Sequence, residues 1–236
     1  MTLEGATILL AGMTFLLALV TVFQDAFWRR IRRPVIALAI EMQPPEAHKT
    51  VLARPAPNAA ETACYYFLLR VENAGSAEAK NVEVFASRLL ERCADHSYRP
   101  VERFLPMNLV LSFTQPPRPT LPSLPAGLHK HFTLGHVIDP RHRREFPLEI
   151  HPDVREAVAE PPQTTFVLDM EFKSNTLGHL LKPGSYQLEL SVGASNAKSS
   201  RWVLDLELTG GWFDTDRDMF AKGVVLALRR PAPSDC

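Results

Sequence analysis

Few cysteines occur in this sequence, and neither sign of charge is in excess. The three cysteines, at positions 64, 93 and 236, follow no regular spacing, which excludes the usual disulfide frameworks and structural zinc motifs. We predict free thiols in a reducing compartment; a Cys64–Cys93 bridge is the alternative and would require export. Because 26 basic residues balance 26 acidic ones, the overall charge does not favour a nucleic-acid partner.

Short catalytic and nucleotide-binding motifs are also absent. The sequence contains no G-x-S-x-G, H-E-x-x-H, P-loop or dinucleotide-binding glycine pattern. The D-x-D-x-D segment at 214–218 begins like a calcium loop, but Met219 and Val225 occupy the positions that require glycine and glutamate. A helix start capped by Asp214 or Thr215 explains the acidic residues better. We therefore predict no catalytic residues, no cofactor and no enzyme.

Histidines are concentrated in one segment. Five of the eight lie between positions 129 and 151, namely His129, His131, His136, His142 and His151. His129 and His131 would share one face of a strand, so a metal pair is geometrically feasible. No further ligand at a diagnostic spacing completes a site, and we therefore predict no metal. A metal-dependent enzyme that uses segment 129–151 stays as an alternative.

One long apolar run dominates the N-terminus. Residues 5–24 form 20 consecutive uncharged positions, which as an α-helix would span about 30 Å, the thickness of the hydrocarbon core of a bilayer. The run is apolar on every helical face, unlike a buried amphipathic helix. It follows no basic residue and does not end in a small-x-small site, so we predict a retained transmembrane anchor rather than a cleaved signal peptide. The residues that we expect to drive insertion are Ile8, Leu9, Leu10, Phe15, Leu16, Leu17, Leu19, Val20, Val22 and Phe23.

Aromatic and basic residues follow this run. Those that we expect to contact lipid headgroups are Trp28, Arg29, Arg30, Arg32 and Arg33. Because basic residues favour the cytoplasmic side, they predict a single-pass protein of a bacterial-type inner membrane, with the N-terminus outside and the following domain in the cytoplasm. An exported envelope module with the reverse topology is the alternative. A homo-oligomer is a further alternative.

Beyond residue 33 the sequence alternates short β-rich runs with turns. The predicted strands cover residues 34–42, 62–73, 80–86, 108–113, 129–137, 164–172, 185–193, 201–210 and 223–228. The clearest pair, 185–193 and 201–210, alternates apolar and polar side chains and predicts a hairpin with a loop at 194–200. About nine strands at this spacing predict an all-β fold, an antiparallel two-sheet sandwich.

The chain therefore divides into three parts. We predict an anchor with its basic segment at 1–33, a β-sandwich domain at 34–230 and a tail at 231–236. The domain contains a proline-rich insertion at about 87–163. Within it, residues 114–127 include five prolines and predict an extended loop.

One stretch resembles a known family. Residues 71–75 (VENAG) and 79–84 (AKNVEV) are similar to the strand–turn–strand motif of bacterial cell-adhesion-related immunoglobulin-like modules, and residues 124–127 (LPAG) resemble the start of a later strand. The resemblance implies an immunoglobulin-like β-sandwich without enzymatic activity that presents binding surfaces. Those modules are usually smaller, exported and often repeated, whereas this chain has one copy behind a predicted anchor. We therefore expect a membrane-anchored binding or assembly module that presents its sandwich to a protein partner at the cytoplasmic face.

Overall fold

The computed structural model describes residues 3–53, 61–143, 146 and 160–231. The N-terminal helix, α1, runs Leu3–Ile31 and includes the predicted apolar run. Arg29 and Arg30 therefore belong to its last turns, whereas the sequence predicts them after the helix. The reason is that arginine is a good helix former and that the chain meets its first helix breaker only at Pro34.

Side chains of α1 are described for Gly5 and for residues 10–24. Within that stretch, the residues predicted to drive insertion are all exposed to solvent: Leu10, Phe15, Leu16, Leu17, Leu19, Val20, Val22 and Phe23. The other predicted side chains of α1 lie outside the described part, namely Ile8, Leu9, Trp28, Arg29 and Arg30. Over the residues that are described, no helix is long and apolar enough to cross a membrane.

The rest of the described chain is mostly β and forms two antiparallel sheets. The first sheet contains β1 (Ile36–Ala39), β2 (Ala47–Ala53), β3 (Glu61–Asn73), β7 (Val110–Leu111), β9 (His129–Ile138), β10 (Phe166–Leu168) and β11 (Leu180–Leu181). The second contains β4 (Ala79–Arg92), β5 (Tyr98–Pro100), β6 (Met107–Asn108), β8 (Thr120–Leu124), β12 (Gly184–Ala194), β13 (Ala197–Leu208) and β14 (Val224–Arg229). The strand orders are β1–β3–β9–β10–β11 and β14–β13–β12–β4–β5, with β2 beside β3, β7 beside β9, and β6 and β8 beside β4. The predicted mostly β domain of two antiparallel sheets is confirmed.

Residues from both sheets share one hydrophobic core. The β12–β13 hairpin shows how the sequence builds it, because Tyr186 lies opposite Leu206 and Leu188 opposite Leu204, and all four side chains are buried. The alternation predicted for these two strands is therefore confirmed. The loop between them is shorter than the predicted 194–200, since only residues 195 and 196 separate the strands.

The proline-rich segment 114–127 differs from its prediction, because it contributes β8 to the second sheet. In the pairing of β8 with β4, Ala79 lies opposite Leu124 and Val82 opposite Leu121, and the paired residues skip Pro122. Proline has no N–H for a sheet hydrogen bond, and an edge strand such as β8 tolerates it. Strands β2, β5 and β11 are likewise not predicted from the sequence.

The acidic segment 214–218 begins a short helix, as predicted. This helix, α2 (Asp216–Asp218), continues into a π-helical turn, Met219–Gly223. The Thr215 hydroxyl accepts a hydrogen bond from the Asp218 N–H at 3.3 Å and caps the helix. Met219 and Phe220 are buried in the core. Asp216 and Asp218 therefore lie in the first turn of a helix that Thr215 caps, where the helix dipole favours acidic side chains.

Candidate functional site: a basic pocket next to the N-terminal helix

The turn between β3 and β4 fixes the chain as it leaves α1. Asn73, at the start of this turn, is fully buried. Its side-chain oxygen accepts hydrogen bonds from the backbone N–H groups of Val35 (3.3 Å) and Gly75 (3.1 Å). Its amide nitrogen donates to the carbonyl oxygens of Ala77 (2.7 Å) and Leu124 (2.9 Å). This one amide therefore makes all four of its hydrogen bonds and joins the start of β1, the β3–β4 turn and β8.

Gly75 allows the same turn to lie directly against the segment after α1. A Cβ at position 75 would lie 2.5 Å from the Val35 nitrogen and 2.7 Å from the Pro34 Cα. The Ser76 N–H donates to the Arg33 carbonyl oxygen at 3.1 Å. The V-x-N-x-G pattern therefore has a physical reason in this chain, because its asparagine and glycine together hold the segment that follows α1.

A cavity of about 770 Å³ opens beside this segment. One wall is the chain directly after α1, and the other is the start of β13 with the residue after β14. The cationic and hydroxyl side chains of these walls define what we call the basic pocket: Arg32, Arg33, Lys198, Ser199, Ser200 and Arg230. The described lining contains four cations and no carboxylate, although the charges of the whole chain balance. The electrostatic field in the pocket therefore favours an anion.

Aromatic stacking positions one of the four cations. The Arg230 guanidinium lies over the Trp202 ring, with its central carbon 3.8 Å from the ring centroid. The Trp202 indole N–H donates to the Ser200 hydroxyl (3.2 Å), which donates to the Ile36 carbonyl oxygen (3.4 Å). Stacking uses the face of a guanidinium and leaves its in-plane N–H donors for other partners. These contacts link Arg230 to the start of β1 in the opposite sheet.

The hairpin turn that precedes Lys198 is also held in place. The Asn196 side chain accepts a hydrogen bond from the Lys80 N–H (2.9 Å) and donates one to the Glu78 carbonyl oxygen (2.8 Å). The Ser195 N–H donates to the Lys80 carbonyl oxygen at 2.8 Å. Because the chain at residues 78–80 continues directly from the turn that holds the segment after α1, these side-chain and backbone hydrogen bonds connect the two walls of the basic pocket.

A second cavity, of about 710 Å³, lies on the first sheet between β2 and the segment after β7. Asp169 lines it and accepts a hydrogen bond from His136 Nδ1 at 2.8 Å, since a carboxylate has no proton to donate. The Tyr66 ring lies 5.1 Å from the His136 ring. Burial raises the pKa of Tyr66, and the nearby Cys64 and Asp169 raise it further, so the phenol stays protonated at neutral pH.

Cys64, next to this His–Asp pair, is a buried free thiol. Burial raises the pKa of Cys64 well above its usual value, and the Asp169 charge adds to the effect. Because the thiolate is the reactive form, we expect the Cys64 side chain to react slowly at neutral pH. Cys93 is also a free thiol, so the Cys64–Cys93 bridge considered from the sequence is not formed and the expectation of free thiols is confirmed for both residues.

His129 and His131 lie on one face of β9, as predicted, with ring centroids 5.5 Å apart. The buried carboxylate of Glu46 lies 3.4 Å from His131 Nε2 and 3.1 Å from Arg70 Nη1. The Arg70 cation next to this carboxylate opposes the approach of a metal cation. Over the described part of the chain, no group of three or more His, Cys, Asp or Glu side chains is placed to hold a metal ion. His151 lies outside the described residues.

The basic pocket combines predicted and unpredicted residues. Arg32 and Arg33 were expected to contact lipid headgroups, and both line the pocket. Lys198 and Arg230 were not singled out in the sequence, because Lys198 follows Arg32 by 166 positions and no local spacing connects them. Trp202 is recognisable in the sequence only as an inward residue of a predicted strand.

Comparison of this chain with models of known families, with curated proteins and with solved structures finds no match. The resemblance of residues 71–84 to immunoglobulin-like modules therefore stays a prediction.

Proposed function

We propose that this chain is a membrane-anchored, non-enzymatic binding module whose immunoglobulin-like β-sandwich faces a protein partner at the cytoplasmic side of the membrane. The observation that carries the proposal is the exposed apolar surface of α1. Leu10, Phe15 and Phe23 are 69%, 68% and 73% exposed, so the β-domain leaves them uncovered. A surface of this kind requires an apolar environment, and the uncharged run of 20 residues matches the thickness of a bilayer.

The polar side chains of α1 are compatible with insertion. The hydroxyls of Thr14 and Thr21 donate to the carbonyl oxygens of Leu10 and Leu17, each at 2.8 Å. In hydrocarbon each polar group needs a partner within the protein, and these hydroxyls find theirs in their own helix. The ten apolar residues predicted to drive insertion would contribute roughly −3 to −6 kcal/mol, which favours insertion.

The basic segment supports the cytoplasmic orientation. Arg32 and Arg33 follow α1 directly, and in this sequence no basic residue precedes the apolar run. The hydrogen bond from Ser76 holds the Arg33 backbone on the β-domain. With α1 inserted, the domain would therefore lie at the membrane surface.

The remaining parts of the proposal rest on the β-domain. Two antiparallel sheets and the motif at residues 71–84, whose Asn73 and Gly75 have the structural roles given above, support the immunoglobulin-like assignment. The protein partner is supported by exposed apolar residues at the second cavity, where Phe113 is 88% and Val51 60% exposed.

Membrane extraction of the full chain tests the anchor. We expect the protein in the membrane fraction, resistant to alkaline carbonate and released by detergent. Recovery in the supernatant of the carbonate wash would overturn the proposal. A C-terminal reporter that is active only after export tests the orientation: we expect no activity, and activity would favour the exported alternative instead.

Site-specific cross-linking in cells tests the protein partner. A photoreactive residue at position 113 should give a defined adduct with another protein, whereas the same group at the exposed position of Arg99, on the other sheet, should not. Equal adducts at both positions, or none at position 113, would argue against a partner at the second cavity.

A further inference from the structure

We propose that the basic pocket binds a phosphoester group, supplied either by the headgroup of an anionic lipid or by a soluble phosphoester. The lipid source rests on the proposed function, because it requires α1 to be inserted. The soluble source does not.

The clustering of cations is the first observation behind this inference. Arg32 and Arg33 are explained by membrane topology alone, since basic residues commonly follow a transmembrane segment. That explanation does not extend to Lys198 on β13 or to Arg230 after β14, which come to the same cavity from the other end of the chain. The like charges of Arg33, Lys198 and Arg230 around one cavity repel each other, and a bound anion reduces that repulsion.

The chemistry of the pocket selects the kind of anion. Three of its four cations are arginines, whose planar guanidinium groups present forked N–H donors that match the oxygens of a phosphate. The Ser199 hydroxyl adds a neutral donor on the β13 wall. A phosphate group has enough acceptor oxygens to contact both walls at once, which explains why the donors come from both.

The pocket is also organised before a ligand binds. Stacking on Trp202 at 3.8 Å holds Arg230, and the Asn73 and Asn196 hydrogen bonds hold the backbone of the two walls. Side chains and loops that are already in place lose less conformational entropy on binding.

The position of the pocket agrees with a ligand at the membrane surface. Ile31, the last residue of α1, follows Gln24 by seven residues, which is about 10 Å of helix beyond the uncharged run. The headgroup layer occupies roughly 5–8 Å on each side of the hydrocarbon core. With α1 inserted, the basic pocket would therefore lie at the outer boundary of the headgroups.

Binding by the full chain in neutral detergent micelles tests this inference. One arm titrates glycerol 3-phosphate as a soluble phosphoester, and the other adds short-chain phosphatidylglycerol to the micelles, with phosphatidylcholine as the zwitterionic reference. The test variant is the double substitution Lys198→Gln and Arg230→Gln. Its control removes the same charge from two exposed cations outside the pocket, Arg99→Gln and Lys222→Gln.

We expect the pocket variant to weaken binding about 30-fold, which corresponds to two charges at about 1 kcal/mol each, and the control to change it by less than about threefold. Loss in both arms supports a phosphoester site of either source, loss in the lipid arm alone assigns the lipid headgroup, and loss in the soluble arm alone assigns a soluble ligand. Arg230→Lys keeps the charge but removes the guanidinium fork, and it should weaken binding as well.

Equal losses in the pocket variant and its control would show diffuse electrostatic attraction and overturn the inference, as would the absence of binding in both arms. Because the soluble arm does not depend on insertion, failure of the anchor would appear in the carbonate extraction and not in this measurement.

Discussion

Gly75 packs so closely against Pro34 that a Cβ added to the glycine would lie 2.7 Å from the Pro34 Cα. The three atoms nearest to such a Cβ are the Arg33 oxygen, the Val35 nitrogen and the Pro34 Cα, and all are backbone atoms, which cannot rotate away as a side chain can. We therefore expect Gly75→Ala to lower the free energy of unfolding by about 1–3 kcal/mol, measured by urea denaturation of the full chain in mild detergent. Gly193→Ala is the matched control, because its Cβ would lie at an ordinary 3.5 Å from the Ser199 Cβ, and it should cause no comparable loss.

The side-chain nitrogen of Asn73 donates two of the four hydrogen bonds that this side chain makes, so we expect it to be needed for the stability of the domain. Asn73→Asp keeps the size of the side chain but replaces the donor that meets the Ala77 and Leu124 carbonyl oxygens with a second acceptor. We expect a loss of at least about 1–3 kcal/mol in the free energy of unfolding at pH 7, because a buried charge would face two carbonyl oxygens. A wild-type urea midpoint for this variant would contradict the network described for Asn73.

Regular alternation explains which parts of the fold the sequence predicts. In β12 and in the second half of β13 most buried residues alternate with less buried ones, so the side chains follow the period of two. β8 and β2 are edge strands, each paired with one neighbour only. An edge strand does not need a regular alternation of buried and exposed side chains, and it tolerates a proline such as Pro122 in β8. The sequence therefore predicts β12 and β13 well and misses β8 and β2.

The basic pocket depends on long-range contacts that no local pattern contains. The sequence does predict part of one wall, the chain directly after α1, because the arginine cluster is visible there. The V-x-N-x-G motif also indicates the turn that holds this wall. Hydrogen bonds between the β12–β13 hairpin turn and residues 78–80 hold the start of β13, which carries Lys198, beside the same cavity. Such a contact between two turns is set by the packing of the two sheets, and the sequence alone does not specify it.

Asp139 should make the stability of the domain depend on pH. Burial alone would raise the pKa of Asp139, but hydrogen bonds from Arg141 outweigh it and hold the pKa below the usual value. Because the folded-state pKa is the lower one, the stabilisation is present above the unfolded-state pKa of about 3.9 and is lost as the pH falls through the folded-state pKa. We expect Asp139→Asn to lower the free energy of unfolding by about 1–3 kcal/mol at pH 7, with a smaller difference at pH 3.

Urea denaturation at the two pH values measures this effect. Asp95→Asn is the control at an exposed carboxylate, where hydrogen bonds from Ser97 also hold the pKa low but solvent screens the interaction. It should change stability less than Asp139→Asn does. A difference for Asp139→Asn that is the same at pH 3 and pH 7 would show that the side chain acts by packing and not by its charge.

The two described cysteines should differ in reactivity. Cys64 is fully buried and its pKa is raised by burial, whereas Cys93 is half-exposed. We expect iodoacetamide at pH 8 to modify Cys93 in the folded protein and Cys64 only after unfolding in urea, as mapped by mass spectrometry of the peptides. Modification of Cys64 and Cys93 at equal rates in the folded protein would mean that the β3 region opens readily.

A charge placed in the middle of α1 should oppose insertion. Leu16 is 65% exposed and lies within the run of 20 uncharged residues. An arginine at the centre of a transmembrane helix costs about 2.5–3.5 kcal/mol, which is comparable with the roughly −3 to −6 kcal/mol expected from the whole run. We therefore expect Leu16→Arg to lower the carbonate-resistant fraction of the full chain several-fold, while Leu16→Ala changes it little. Val51→Arg adds the same charge at an exposed position of β2 and should leave the fraction unchanged, so an equal loss with this variant would indicate a general folding defect instead of failed insertion.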